Sequence, residues 1–159
     1  MEKGFLDMIN AHKGIIYKVC NLYVENAEDR KDLFQEILLQ IWKSYPSFRG
    51  VSAIGTWIYR VAINTSVTFV KKNSRHESGR KEFLKFEVPD LVDISDEDES
   101  MARLFHAISL LNGLEKSIVL LYLEDKSYEE MSEITGLTKT NIGVRLNRIK
   151  IKLSNTLNQ

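Results

Sequence analysis

The stretch Ser127 to Ile149, SYEEMSEITGLTKTNIGVRLNRI, decides the fold. It opens on Ser127-Tyr128-Glu129-Glu130, a capping box in which the serine hydroxyl meets the third helical amide and Glu130 reaches back. Tyr128, Met131 and Ile134 follow at helical spacing, and Thr135-Gly136-Leu137 breaks the pattern. Gly136 can take the left-handed backbone that a tight corner between helices requires. A second helix restarts at Thr138, whose side chain can cap Thr140 or Asn141. It turns Ile142, Leu146 and Ile149 inward and carries Arg145, Arg148 and Lys150 on more polar faces. Cap, corner and periodicity together read as a helix-turn-helix, with the basic second helix as the reading helix.

Around this stretch the chain has 159 residues, enough for one ordinary domain or two small ones. A hydrophobic content of 43% with 28% charged residues fits a globular protein and excludes a disordered one. No apolar run is long enough to span a bilayer, and the acids of MEKGFLDMIN do not suit a secretory signal, so a cytoplasmic chain is expected. The lone Cys20 excludes an internal disulfide, and His12, His76 and His106 share no ligand spacing, so neither metal nor cofactor is expected. The formal net charge is zero, but it conceals two opposed blocks. Residues 51–85 hold seven bases against two acids, and residues 86–100 hold seven acids and no base. A phosphate backbone responds to such local fields rather than to the chain average.

In order along the chain, Phe5 to Tyr23 reads as an amphipathic helix and Asn26 as the cap of the next. That next helix, about Ala27 to Ser44, sets Leu33, Ile37 and Ile41 in one row and Phe34, Leu38 and Trp42 beside it, and Pro46 marks its end. A third helix, about Ala53 to Lys72, is expected to bury Ile54, Trp57, Ile58, Val61, Phe69 and Thr65. Periodicity then fails from Asn73 to Glu99, which reads as a flexible linker despite the apolar Phe83-Leu84-Lys85-Phe86 and Pro89. Beyond it, Met101, Leu104, Phe105, Ile108 and Leu111 form an inward face. Asn112-Gly113 stops that helix, and Leu114 to Leu123 makes another with Ile118, Leu121 and Tyr122 inward. The expected fold is all-α: a three-helix domain over 1–72, a linker over 73–99, and a four-helix domain with the helix-turn-helix over 100–159.

Nothing in the chain carries catalysis: there is no P-loop, GxSxG or HExxH, and the acidic segment lacks a scaffold to fix two carboxylates. The function expected is binding, with no small-molecule substrate. In the first domain Phe48, Trp57 and Tyr59 lie among Arg49, Arg60, Lys71 and Lys72, a mixture of stacking faces and phosphate partners suited to unpaired strands. Trp57 serves equally well as a core residue, given its helical spacing from Val61. A stand-alone helix-turn-helix regulator and a protein-interaction adaptor are the competing readings. The stand-alone regulator leaves Asp32, Gln35, Glu36 and the aromatic-basic helix without a role.

The segments DLFQEILLQIWKSYPSFRG and TWIYRVAINT resemble the second conserved region of bacterial sigma factors of the extracytoplasmic-function type. LEKSIVLLYLEDKSYEEMSEITGLTKTNIGVRLNRIKIKL resembles their fourth. The resemblance implies a subunit that binds core RNA polymerase, recognises promoter DNA as duplex and as melted strand, and starts transcription. It implies polymerase binding by Asp32, Gln35 and Glu36. It implies capture of a flipped minus-ten base by Ser47, Phe48, Arg49, Gly50 and Asn64, strand separation by Trp57, Tyr59 and Arg60, and phosphate contacts from Lys71 and Lys72. It implies minus-thirty-five contacts from Thr138, Lys139, Thr140, Asn141, Arg145 and Arg148, and regulation by an anti-sigma factor. Gly143, where relatives often carry a base, and Asn147, where many carry an aromatic or histidine, depart from the family pattern.

Overall fold

The computed structural model describes residues 2–50, 53–76 and 96–158, and the chain divides into two compact units, Met1–Lys81 and Glu82–Gln159. The described residues form an all-α protein without strands. The first unit consists of α1 (Glu2–Tyr23), α2 (Ala27–Ser44), a 3-10 turn (Tyr45–Ser47) and α3 (Ile54–His76). The second holds α4 (Asp96–Ser109), α5 (Gly113–Leu123), α6 (Tyr128–Thr135) and α7 (Lys139–Leu157). Helix α3 thus runs past Lys72, and α4 begins before Ser100. The Phe83–Phe86 patch and Pro89 lie outside the described residues.

In the first unit, Asn26 accepts from the amides of Glu28 and Asp29 at 2.8 and 3.1 Å, with both acids in the first turn of α2 where the helix dipole favours them. Arg30 clasps the α1–α2 corner by donating to the Asn21 amide oxygen (3.1 Å) and the Glu25 carbonyl (2.6 Å). The core is built from Ile16 and Val19 of α1, Leu33, Ile37 and Ile41 of α2, and Ile58 and Ala62 of α3, all fully buried. Cys20 is buried among them. Burial pushes its thiol up to about 11 against the opposing pull of the Arg30 charge.

Helix α3 departs from the sequence expectation. Its buried residues are Thr56, Ile58, Tyr59, Ala62, Ile63 and Ser66, whereas Ile54, Trp57, Val61, Thr65 and Phe69 are only half-buried. The helix packs against both α1 and α2, so its buried side takes in Ile58 and Tyr59 as well as Ala62 and Ser66. Ser66 tolerates full burial because its hydroxyl donates to the Ala62 carbonyl at 2.7 Å.

In the second unit α5 packs against α4, α6 and α7, and it buries Glu115 and the unbroken run Ser117 to Leu121. Its start corrects the sequence reading: Asn112 does not end α4 but caps α5, accepting from the Glu115 amide (2.8 Å) while its own amide donates to the Glu115 carboxylate (3.1 Å). Met101 and Phe105 are exposed, so the inward face of α4 reduces to Ala107 and Ile108, with Leu104 half-buried and Leu111 buried in the turn that follows. Tyr122 is exposed too, with the Lys150 ammonium 4.6 Å from its ring centre.

The other Glu115 oxygen accepts from Lys152 of α7 at 2.7 Å. Burial opposes the charged carboxylate, but the hydrogen bonds from Lys152 and from Asn112, with the charges of Lys152 and Arg145, outweigh it and lower the pKa. Glu115→Ala strips a capping box and the α7 tether together, and should cost the second unit about 1–3 kcal/mol in urea denaturation at neutral pH. The folded-state pKa lies below the unfolded one, so this contribution is complete above the ordinary glutamate value. It fades as pH falls through the lower folded value, and the gap between wild type and Glu115→Gln should narrow on acidification.

Gly143 lies mid-helix in α7, and a Cβ placed there would meet only Tyr128 Cε2, at 3.6 Å. That is ordinary contact, so Gly143→Ala should raise the stability of the second unit by about 1 kcal/mol in the same measurement.

Candidate nucleic-acid interface

The side chains that face outward are those left over once each helix has buried its core stripe. Successive residues of a helix are about 100° apart, so Trp57, Arg60, Asn64, Thr68 and Lys71 fall along one stripe of α3, with Lys72 about a quarter turn away. Arg60, Asn64, Lys71 and Lys72 are exposed and Trp57 is half-buried. At the head of this stripe the 3-10 turn delivers Phe48, whose ring centre lies 4.8 Å from that of Trp57 with the planes tilted by 36°. Ser47 donates to the Ser44 carbonyl at 2.7 Å, Arg49 is exposed, and Gly50 has φ 72°, a backbone that favours glycine. A paired aromatic surface therefore opens onto a row of base, amide and ammonium groups, a surface suited to stacking a base and holding its phosphates.

Tyr59 does not belong to it. It lies about 200° round α3 from Trp57, on the core side, and is only 2% exposed. Its ring supports the helix from beneath, so no base can stack on it.

On α2, with Leu33, Ile37 and Ile41 turned inward, Asp32 and Gln35 are exposed and Glu36 is half-buried, accepting from the Gln40 amide at 3.1 Å. The same outer side carries Leu39 and Trp42, 43% and 40% exposed. Trp42 is not part of an inward row; its ring meets Phe5 edge-on at 4.8 Å. Leu39 escaped the sequence reading, although it stands opposite the buried row.

The helix-turn-helix of the second unit forms as its residues dictate. Ser127 and Glu130 complete a capping box, Gly136 takes φ 81°, and Thr138 Oγ1 accepts from the Asn141 amide at 3.1 Å. Met131, Ile134, Ile142, Leu146 and Ile149 are buried and lock α6 and α7 together. Thr138, Lys139, Thr140 and Arg148 are exposed. The Lys139 ammonium rests 2.8 Å from Glu129, and this hydrogen bond lowers the Glu129 pKa. The pair is open to solvent and screened by salt, so a DNA phosphate can replace the carboxylate at little cost.

Asn141 and Arg145 are half-buried, and Arg145 Nε donates to Asn141 Oδ1 at 2.9 Å. The Arg145 charge also helps to lower the Glu115 pKa. The most outward positions of α7 are instead Thr140, Val144, Asn147 and Ile151; the last three do not appear among the expected contacts. Their position directly opposite Ile142 and Leu146 is the signal that finds them. Among the described residues no group of His, Cys, Asp and Glu could hold a metal ion, and no helix is long and apolar enough to cross a membrane.

The family model of Sigma-70 region 2 matches residues 8–76, and that of Sigma-70, region 4 matches residues 101–153. The RNA polymerase sigma factor SigV of Bacillus subtilis is 28% identical over 141 residues, spanning 88% of this chain and 82% of that protein. The ECF RNA polymerase sigma-E factor of Escherichia coli K12 is 27% identical over 166 residues, spanning 97% and 86%. Among solved structures, the sigma factor RpoE in complex with the anti-sigma factor NepR from Bartonella quintana superposes with a TM-score of 0.72 at 18% identity, covering 99% of this chain and 96% of that one. CnrH in complex with the cytosolic domain of CnrY gives 0.68 at 16%, covering 99% and 90%. These two likenesses bear on the fold. With both conserved regions present in family order, and relatives matched over most of their own length, the chain belongs to the sigma-70 family and is an alternative sigma factor of the extracytoplasmic-function type that serves in transcription initiation.

Proposed function

We propose a division of labour between the two units. The first, over residues 1–72, docks on core RNA polymerase and opens the minus-ten element. The second, over residues 100–159, grips the minus-thirty-five duplex, and the segment 73–99 joins them. The observation that carries the first assignment is the stripe of Arg60, Asn64 and Lys71 beneath the Phe48–Trp57 pair. Extruding a base costs a few kcal/mol of stacking, which an aromatic surface with a hydrogen-bonding amide beside it can offset. Asn64 reads the edge of the flipped base, the loop Ser47–Gly50 walls it in, and Arg49, Arg60, Lys71 and Lys72 hold the strand. Tyr59 contributes only by supporting α3.

Asp32, Gln35 and Glu36, flanked by the exposed Leu39, form the polymerase-docking face of α2. Thr138, Lys139, Thr140 and Arg148 contact DNA through α7, with the α7 N-terminal amides favouring a phosphate. Asn141 and Arg145 stiffen the first turns of that helix. The work is binding rather than catalysis, carried out in the cytoplasm where polymerase and promoter meet. Both structural neighbours are described in complexes, one with the anti-sigma factor NepR and one with the cytosolic domain of CnrY. We extend this to a protein inhibitor of the same kind for the present chain.

Size-exclusion co-elution with bacterial core RNA polymerase tests the docking face: a one-to-one complex is expected, and Gln35→Ala/Glu36→Ala should abolish it. Failure of the folded wild-type protein to co-elute would refute the assignment. Asn64→Ala should leave co-elution intact while lowering permanganate reactivity of the melted minus-ten strand at least tenfold. Equal loss of both would remove Asn64 from base capture.

A further inference from the structure

The outward face of α7 has a composition that narrows what it can read. Burial of Ile142, Leu146 and Ile149 fixes the roll of the helix, and Thr140, Val144 and Asn147 then project furthest from the core. Val144 is 45% exposed and Asn147 is exposed. Gly143 contributes no side chain, and Arg145 is drawn aside to Asn141 at 2.9 Å. In the leading half of the helix, the part that enters a major groove, the outermost groups are therefore a hydroxyl, an isopropyl and a carboxamide. The only outward guanidinium in that region is Arg148, beyond them. A β-branched residue costs helix propensity, and at a position this exposed burial returns little of that cost.

Resting on the assignment of α7 to the minus-thirty-five duplex, we propose that Val144 and Asn147 are its specificity-determining residues and select neighbouring A·T pairs. Val144 packs on the 5-methyl group of a thymine, and Asn147 takes an adenine through its N6 and N7 edge. In the major groove the thymine methyl is the one apolar feature and the adenine edge is the one that matches a carboxamide bidentately. The two residues lie three apart, about 4.5 Å along the helix axis, comparable with one base-pair step. Arg148, Lys139 and the helix N-terminus supply contacts to phosphate that position without reading.

The test uses holoenzyme reconstituted from the full chain and bacterial core polymerase, selecting from duplexes randomised across the upstream element. Each selected thymine is then replaced singly by deoxyuridine, which lacks only the 5-methyl group. One substitution should weaken wild-type binding about fourfold, the free energy of one methyl group withdrawn from water. Val144→Ala should bind all these duplexes with no penalty for deoxyuridine at that position. Asn147→Ala should relax the adjacent adenine preference by about tenfold or more. Circular dichroism is expected to be unchanged, since both side chains lie on the surface. A selected element made only of G·C pairs, or an undiminished deoxyuridine penalty in Val144→Ala, would overturn the proposal while leaving upstream DNA binding by α7 intact. Selection of no upstream element at all would overturn the binding assignment and this proposal with it.

Discussion

The burial of three α7 side chains, Ile142, Leu146 and Ile149, governs the second unit. A helix held by one apolar stripe has a fixed roll, and the roll decides which atoms a groove meets. The Lys152–Glu115 bond at 2.7 Å adds a polar latch just under one turn beyond Ile149, the last residue of that stripe. Glu115 is well placed for this because it is already immobilised by its own capping box. The latch therefore adds little new ordering entropy on the α5 side, although Lys152 itself remains largely exposed.

The first unit solves its problem differently. Helix α3 lies against both α1 and α2, so two sides of it are occupied and one remains. Its buried side mixes large and small side chains, Ile58 and Tyr59 with Ala62 and the hydrogen-bonded Ser66. The free side then collects Arg60, Asn64 and Lys71 with no need for dedicated scaffolding. In both units the roll of a helix thus decides at once which side chains pack and which stay outside.

This explains what was legible in the sequence. Caps and corners act over three or four residues, so Asn26, Ser127, Thr138 and Gly136 could be read directly, and helix bounds followed within a few residues. Asn112 was misread because one asparagine before a glycine suits a helix end as well as a helix start. Only the reach of Glu115 distinguishes the two. The rows Leu33-Ile37-Ile41 and Ile142-Leu146-Ile149 were legible because a single strong stripe admits one roll. Tyr59, Trp57, Met101, Phe105 and Tyr122 were not, since a large side chain can lie on either side of a boundary that neighbours from distant sequence define. Arg145 was placed by resemblance to the family pattern, and its hydrogen bond to Asn141, one turn back, is what the structure adds.

Cys20 has a consequence of another kind. It is the single cysteine of the sequence, sealed between helices with its pKa near 11. At neutral pH the thiol stays protonated, and thiolate is the species that peroxides and electrophiles attack. Cys20 is accordingly a poor target for oxidants and electrophiles, and its persistence in the thiol form keeps the α1 packing intact.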